Sequence, residues 1–330
     1  LSGTVVAGLA AADGVDPWVF GPMMLGLALA CWLSSRYIPR LGAKAPYLVV
    51  DRNVLRSTGR LVASLRGDQR LWRTALMAAW FWLAGAIVLS LLPPMVKNHL
   101  GGDETAITAY LAVFAVAIGI GSAIAAWMSA GRIVLLPAPV GTLIMALFGL
   151  DLAWCVGQAG TVAPAETLSA FFANPYTVRI AIDLAGMAIA GAFLAVPTLA
   201  ALQAWAQEDQ RSRVIGASNV LSAAFITTGG GLVAILQASG MSTPVLFAGL
   251  AFANAVAAWV MLRTLPTNAF RDFVSILFRA FLRLEVEGLD NLKKAGRAPI
   301  IALNHVSFLD GALALALTEE EPTFAVDYTI

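Results

Sequence analysis

Charge is what this sequence lacks most. Of its 330 residues only 12% are Asp, Glu, Lys or Arg, about half the roughly 25% of an ordinary soluble domain. A water-soluble enzyme of this size is excluded, because too few charged side chains remain to cover its surface. Cysteine is almost absent: Cys31 and Cys155 are the only two, each inside an apolar run, with no metal-ligand spacing and no disulfide framework. Both read as packing residues. No initiating Met, basic leader or cleavage signature opens the chain, and its Leu-Ser-Gly start lies within an apolar stretch. That pattern leads us to expect a piece of a longer protein.

What the chain has in excess is hydrophobic length, with 59% apolar residues. A helix needs about 20 apolar residues to cross the hydrocarbon, where an unpaired peptide group finds no partner. Uncharged stretches run from Pro17 to Ser35, Thr74 to Val96 and Thr105 to Gly131. Ile133 to Gly157 and Val178 to Ala206 also suffice, each carrying an aspartate. Val214 to Leu262 has no charge at all and would be about 70 Å long as one helix, so it must turn back near 238–244, where Gly and Pro cluster. Seven complete spans are expected, with residues 1–12 as the end of an eighth.

The scarce charges fall on one side of these spans. Alternation places Arg36 to Arg73 with nine Lys and Arg, Arg132, Arg211 and Arg213 on one face, and only Lys97 and Arg179 on the other. The positive-inside rule makes the richer face cytoplasmic, and the hydrophilic C-terminal tail follows it there. Within the long basic segment, Arg52, Arg56 and Arg60 recur every four residues opposite Val54, Leu55, Leu61, Val62 and Leu65. This is either a helix for the anionic leaflet or a solvated linker.

Six spans follow that long basic loop, and at least part of a preceding set comes before it. The plan resembles the major facilitator superfamily, whose halves are related repeats. Trp80-Phe-Trp-Leu-Ala-Gly-Ala86 and Gln207-Glu-Asp-Gln-Arg-Ser-Arg-Val-Ile-Gly-Ala-Ser-Asn219 resemble segments of bacterial lysophospholipid transporters. The resemblance implies residues 1–38 as the last two helices of a first half, 39–73 as the central cytoplasmic loop and 74–265 as a six-helix second half. Gly131-Arg132 keeps only part of the superfamily's Gly-rich basic loop. An inner-membrane location is implied, with lysophospholipid as the partner and no nucleic acid.

Ionisable side chains within spans are costly and point to function. Asp151, Arg179 and Asp183 are the candidates for transport; Arg179 and Asp183, four apart, share a helical face and can pair. A zwitterionic head group would find complementary charge there. The alternative is that hydration at the membrane surface makes all three inexpensive. Gln203, Asn219 and Asn254 suit interhelical hydrogen bonds or a cavity lining, and Gly229-Gly-Gly231 suits a helix break or close packing.

After Leu265-Pro266 the composition turns hydrophilic, so residues 266–330 form a separate unit. Residues 269–284 place Phe270, Phe273, Val274, Leu277, Phe281 and Leu284 at helical spacing, with Arg271, Arg279 and Arg283 between them, as in a helix lying at the membrane surface. An apolar strand, Ala298-Pro-Ile-Ile-Ala-Leu, then leads into Asn304-His305-Val-Ser307-Phe-Leu-Asp310. A strand-to-helix junction capped by Ser307 or Asn304 brings His305 and Asp310 together, and an imidazole held by a carboxylate can take a proton from an alcohol.

With Val286-Glu-Gly-Leu-Asp-Asn-Leu292 before it, this segment resembles the first block of the glycerolipid acyltransferases, which implies the start of an α/β domain. By that resemblance His305 is the catalytic base and Asp310 its partner. The acyl donor is a thioester of acyl carrier protein or coenzyme A, and no cofactor or metal is held. The family's later phosphate-binding block, Glu-Gly-Thr-Arg, does not follow His305, so this chain alone is expected to be inactive. Together the two resemblances imply part of a bifunctional protein that imports and reacylates lysophospholipid. Two readings stay open beside it: an exporter of drugs or metabolites fused to an unrelated enzyme, and a membrane half that only anchors the enzyme.

Overall fold

In the computed structural model the described residues are 17–38, 53–129, 132–160, 164–282, 287–288, 291, 294–295, 300–304, 307 and 309–317, with 17–20, 54–55 and 317 in backbone only. Residues 1–12, the expected partial span, lie outside this set.

The described chain is helical throughout. An apolar helix α1 (Pro17–Ser35) is followed by α2 (Val54–Arg66), and then come six helices long and apolar enough to cross a membrane. These are α3 (Gln69–Asn98), α4 (Glu104–Ser129), α5 (Pro137–Ala159), α7 (Pro175–Trp205), α8 (Arg211–Ala238) and α9 (Thr243–Arg263), with the short α6 (Leu168–Phe172) between α5 and α7. The chain is thus a multi-pass α-helical membrane protein. The expected turn near 240 occurs at Gly240, whose φ of +88° is a left-handed conformation that glycine adopts at no steric cost.

Side-chain caps start several helices where the sequence offers them. Asp68 accepts the amides of Arg70 and Leu71, and Asn174 that of Tyr176. Asp103 accepts the Ala106 amide at 3.0 Å, and this bond holds its carboxyl below the usual carboxylate range.

Helix α7 is the hub, packed against α3, α4, α5 and α8, while α5 also packs on α9 and α3 on α8. Between helices in lipid the hydrophobic effect gives little, so close approach depends on small residues. A Cβ on Gly121 of α4 would stand 2.6 Å from the Ile189 carbonyl oxygen of α7, and one on Gly141 of α5 would stand 2.4 Å from that of Ala190. Gly229 performs the same service for α8, since a Cβ there would overlap Leu83 of α3, whereas Gly230 and Gly231 face open space. The helix α8 runs through all three glycines unbroken, which selects close packing over a break.

The helix ends sort onto two faces as the alternation requires. On the basic face, Leu61 and Leu65 of α2 pack with Leu71, Leu202, Ala206 and Val214, so α2 turns its apolar stripe onto the bundle and not only toward lipid. On the opposite face Lys97 pairs with Glu104 at 2.6 Å, and the Ala165 amide bonds to the Gly101 carbonyl.

The tail contributes α10 (Ala269–Phe281) and α11 (Asp310–Leu317). Phe270, Phe273, Leu277 and Phe281 make an exposed stripe along α10, while Val274 and Phe278 pack against Ala316 of α11. Asp272, only 1% exposed, accepts the backbone amides of Leu135 and Leu136 at the start of α5, at 2.9 and 3.1 Å. Arg132 in the α4–α5 connection donates to the Ala316 carbonyl, and Arg279 donates to that of Trp127. The tail helices are therefore fastened to the α4–α5 turn. Residues 300–304, the expected strand, form none and are exposed. A strand is fixed by the ladder to a neighbour, and no neighbouring strand exists among the described residues.

Candidate functional site

Asp183 is the eighth residue beyond Pro175, where α7 begins, and Asp151 lies eight residues before Ala159, where α5 ends. Each is therefore about 12 Å along its helix from the less basic face. Both helices extend past the uncharged stretches seen in the sequence, and this places the aspartates deeper than those stretches imply. With a hydrocarbon core of about 30 Å centred on the 31-residue α7, Arg179 sits near the boundary and Asp183 within it.

Arg179 does not pair with Asp183, its neighbour one turn away. Its Nε and Nη2 grip Asp151 across the helix interface at 2.7 and 2.5 Å, a bidentate pair. The guanidinium also lies over the Trp154 ring, 4.8 Å from the centroid, and Trp154 meets Tyr176 edge to face. Asp183 is 2% exposed, and its Oδ2 has no hydrogen-bond partner.

Asp151 and Arg179 neutralise one another, which leaves the Asp183 carboxyl buried without a counter-ion of its own, a position in which its charged form is costly. Asp151, Cys155 and Asp183 bring their ligand atoms within 4.8 Å of one another. They are the residues that can surround a small cation or an ammonium group. Arg179 is half exposed and gives two of its five N–H groups to Asp151.

Of the polar residues singled out in the spans, Asn254 alone is interior: its Oδ1 accepts the Trp80 indole N–H at 2.9 Å, bonding α9 to α3. Gln203 and Asn219 are exposed on the bundle surface. Cys155 is buried, as a packing residue should be, whereas Cys31 is exposed on α1.

In the tail, His305 lies outside the described residues, so its expected pairing with Asp310 is not described either. Asp310 opens α11 and accepts the Ser307 amide at 2.7 Å, while the Ser307 hydroxyl accepts the amide of Leu309. These two bonds tie Ser307 to the start of α11. Asp272 was not foreseen; the signal for it is weak, a lone aspartate in an arginine-rich amphipathic helix. No protein-family model, curated protein or solved structure matches the chain.

Proposed function

We propose that this chain is part of a bifunctional membrane protein that moves lysophospholipid across the bilayer and reacylates it on the basic side, which is the cytoplasmic face of a bacterial inner membrane. The six spans act as the second half of a major facilitator transporter, and the tail begins a glycerolipid acyltransferase.

The observation that carries the transport reading is the buried, unpartnered carboxyl oxygen of Asp183, beside the Asp151–Arg179 pair. It can accept a hydrogen bond from the ammonium of an ethanolamine-type head group. In the tail His305 takes the proton of the lysophospholipid hydroxyl, which attacks the thioester carbonyl of acyl carrier protein or coenzyme A. The carrier leaves as its thiol, and Asp310 holds the imidazole. Fastening of the tail to the α4–α5 turn keeps this chemistry at the membrane surface.

The test uses cells expressing the complete reading frame, with labelled lysophosphatidylethanolamine. Asp183→Asn should abolish most uptake while leaving membrane insertion intact. His305→Ala should leave uptake and reduce acyl transfer about 10²- to 10⁴-fold. Uptake lost in His305→Ala would mean that the two halves do not act separately. Unchanged uptake in Asp183→Asn, or competition by unrelated drugs and not by lysophospholipid, would overturn the lipid-transport reading.

A further inference from the structure

A cleft of about 680 Å³ opens between α3 and α9. Trp72, Leu76 and Trp80 form one wall, Phe252, Val256 and Val260 the other, and Phe225 of α8 reaches in from the side. Phe252, Val256 and Val260 are all exposed, so the cleft is open sideways along its length.

Its polar features are gathered at one end. Arg73 lines the cleft there and donates from Nη1 to the Thr264 carbonyl at 3.3 Å. That bond uses one of the five N–H groups of the guanidinium, and among the described residues no carboxylate pairs with Arg73. Arg66 stacks over Trp72 at 4.9 Å and adds a second guanidinium at the same end. Among the residues that line the cleft Arg73 is the one charged group.

Length and position complete the argument. From Phe252 to Thr264 the α9 wall rises about 18 Å, close to the roughly 15 Å that one leaflet contributes to the hydrocarbon core. The cleft thus reaches from the basic face to about the middle of the bilayer, with its guanidiniums at head-group depth. Thr264 is also the last residue before Leu265-Pro266, where the chain leaves the bundle for α10. The mouth opens at the root of the tail.

We propose that this cleft binds a single-chain phospholipid of the basic-side leaflet, its acyl chain between α3 and α9 and its phosphate on Arg73, and presents the head-group end to the tail. The choice of a single-chain lipid rests on the function proposed above. The two ends of the transport region then divide the head group: Asp183 faces the ammonium on one side of the membrane, and Arg73 faces the phosphate on the other.

The experiment measures binding and needs no transport. The purified chain in nanodiscs of neutral lipid is irradiated with lysophosphatidylethanolamine carrying a diazirine on its acyl chain, and the labelled peptides are mapped. Label should concentrate on residues 72–80 and 252–264. Unlabelled lysophosphatidylethanolamine should compete about tenfold better than a monoacylglycerol of the same chain, the difference being one charge-assisted phosphate contact.

Arg73→Gln should erase that preference while the acyl chain still labels, and Val256→Trp, at an exposed position that folding tolerates, should remove the label by filling the cleft. Equal competition by the monoacylglycerol in the native chain would reduce the cleft to ordinary lipid-facing surface and overturn the proposal. So would cross-links from a diazirine amino acid at position 256 that reach protein and not lipid. If the complete protein transports lysophospholipid while Arg73→Gln leaves the preference unchanged, the cleft assignment falls and the transport reading stands. If the preference disappears as expected but no lysophospholipid is transported, the reverse holds.

Discussion

Removing the Asp272 carboxylate tests how the tail is held to the bundle. This side chain is 1% exposed and accepts the Leu135 and Leu136 amides at 2.9 and 3.1 Å and the Thr267 hydroxyl at 2.6 Å. The two amides begin α5, where no side chain of the local sequence caps the helix. In Asp272→Ala they lose a charged acceptor, for which hydrogen bonds are each worth about 1.5–3 kcal/mol. Loss of even one such contribution raises the population of the undocked tail about 10- to 140-fold. Amide hydrogen exchange of the segment containing Leu135 and Leu136 should accelerate by that factor, with exchange in the middle of α7 unchanged. Asp272→Asn, which keeps one acceptor oxygen, should show a smaller rise. Native-like protection in Asp272→Ala would refute the view that this carboxylate joins tail and bundle.

Three further outcomes follow from topology and packing. A membrane-impermeant maleimide applied outside should modify Asn98→Cys and spare Ser57→Cys until the membrane is opened; early labelling at Ser57→Cys would reverse the orientation taken from the basic loops. Gly141→Ala, whose Cβ meets the Ala190 carbonyl oxygen at 2.4 Å and the Phe193 Cβ at 2.9 Å, should cost about 1–3 kcal/mol by overpacking and lower the thermal midpoint in detergent. Gly231→Ala, which meets nothing within 4 Å, should leave that midpoint unchanged or raise it through the gain of roughly 0.5–1 kcal/mol of helix preference.

The spans were legible because the bilayer imposes a rule that sequence length alone satisfies or fails, and Thr74–Val96 or Thr105–Gly131 leave no other reading. The two faces were legible from the same strings, since the uneven placement of twenty-one basic residues needs no knowledge of contacts. Partner choice was not. Arg179 and Asp183 share a helical face, and spacing along one helix favours their pairing. The observed partner, Asp151, is 28 residues away and comes within reach only because α5 packs along α7. The groove beside Arg73 was hidden for the same reason: its walls are 172 or more residues apart, the separation of Trp80 from Phe252. In the tail, the spacing of Phe270, Phe273, Leu277 and Phe281 announced an exposed apolar stripe, but the inward face of that helix, with Val274, Phe278 and Asp272, is defined by what it touches.

The composition of α7 explains why Asp183 is enclosed. Directly after it come Ala185, Gly186, Ala188, Ala190, Gly191 and Ala192, the small residues that let α3, α4 and α5 approach this helix closely. Asp183 sits at the edge of that tight stretch, on a face already closed by its neighbours. Long side chains can carry a charge out to water, as Arg179 does one turn nearer the membrane surface, but an aspartate has a single methylene and cannot. The packing that makes α7 the centre of the bundle therefore also fixes the carboxyl in place beside the Asp151–Arg179 pair, where its charged form is costly. On the function proposed above, a lipid ammonium reaches Asp183 only when α5 and α7 part, which would tie its binding to movement of the two helices that carry the Asp151–Arg179 pair.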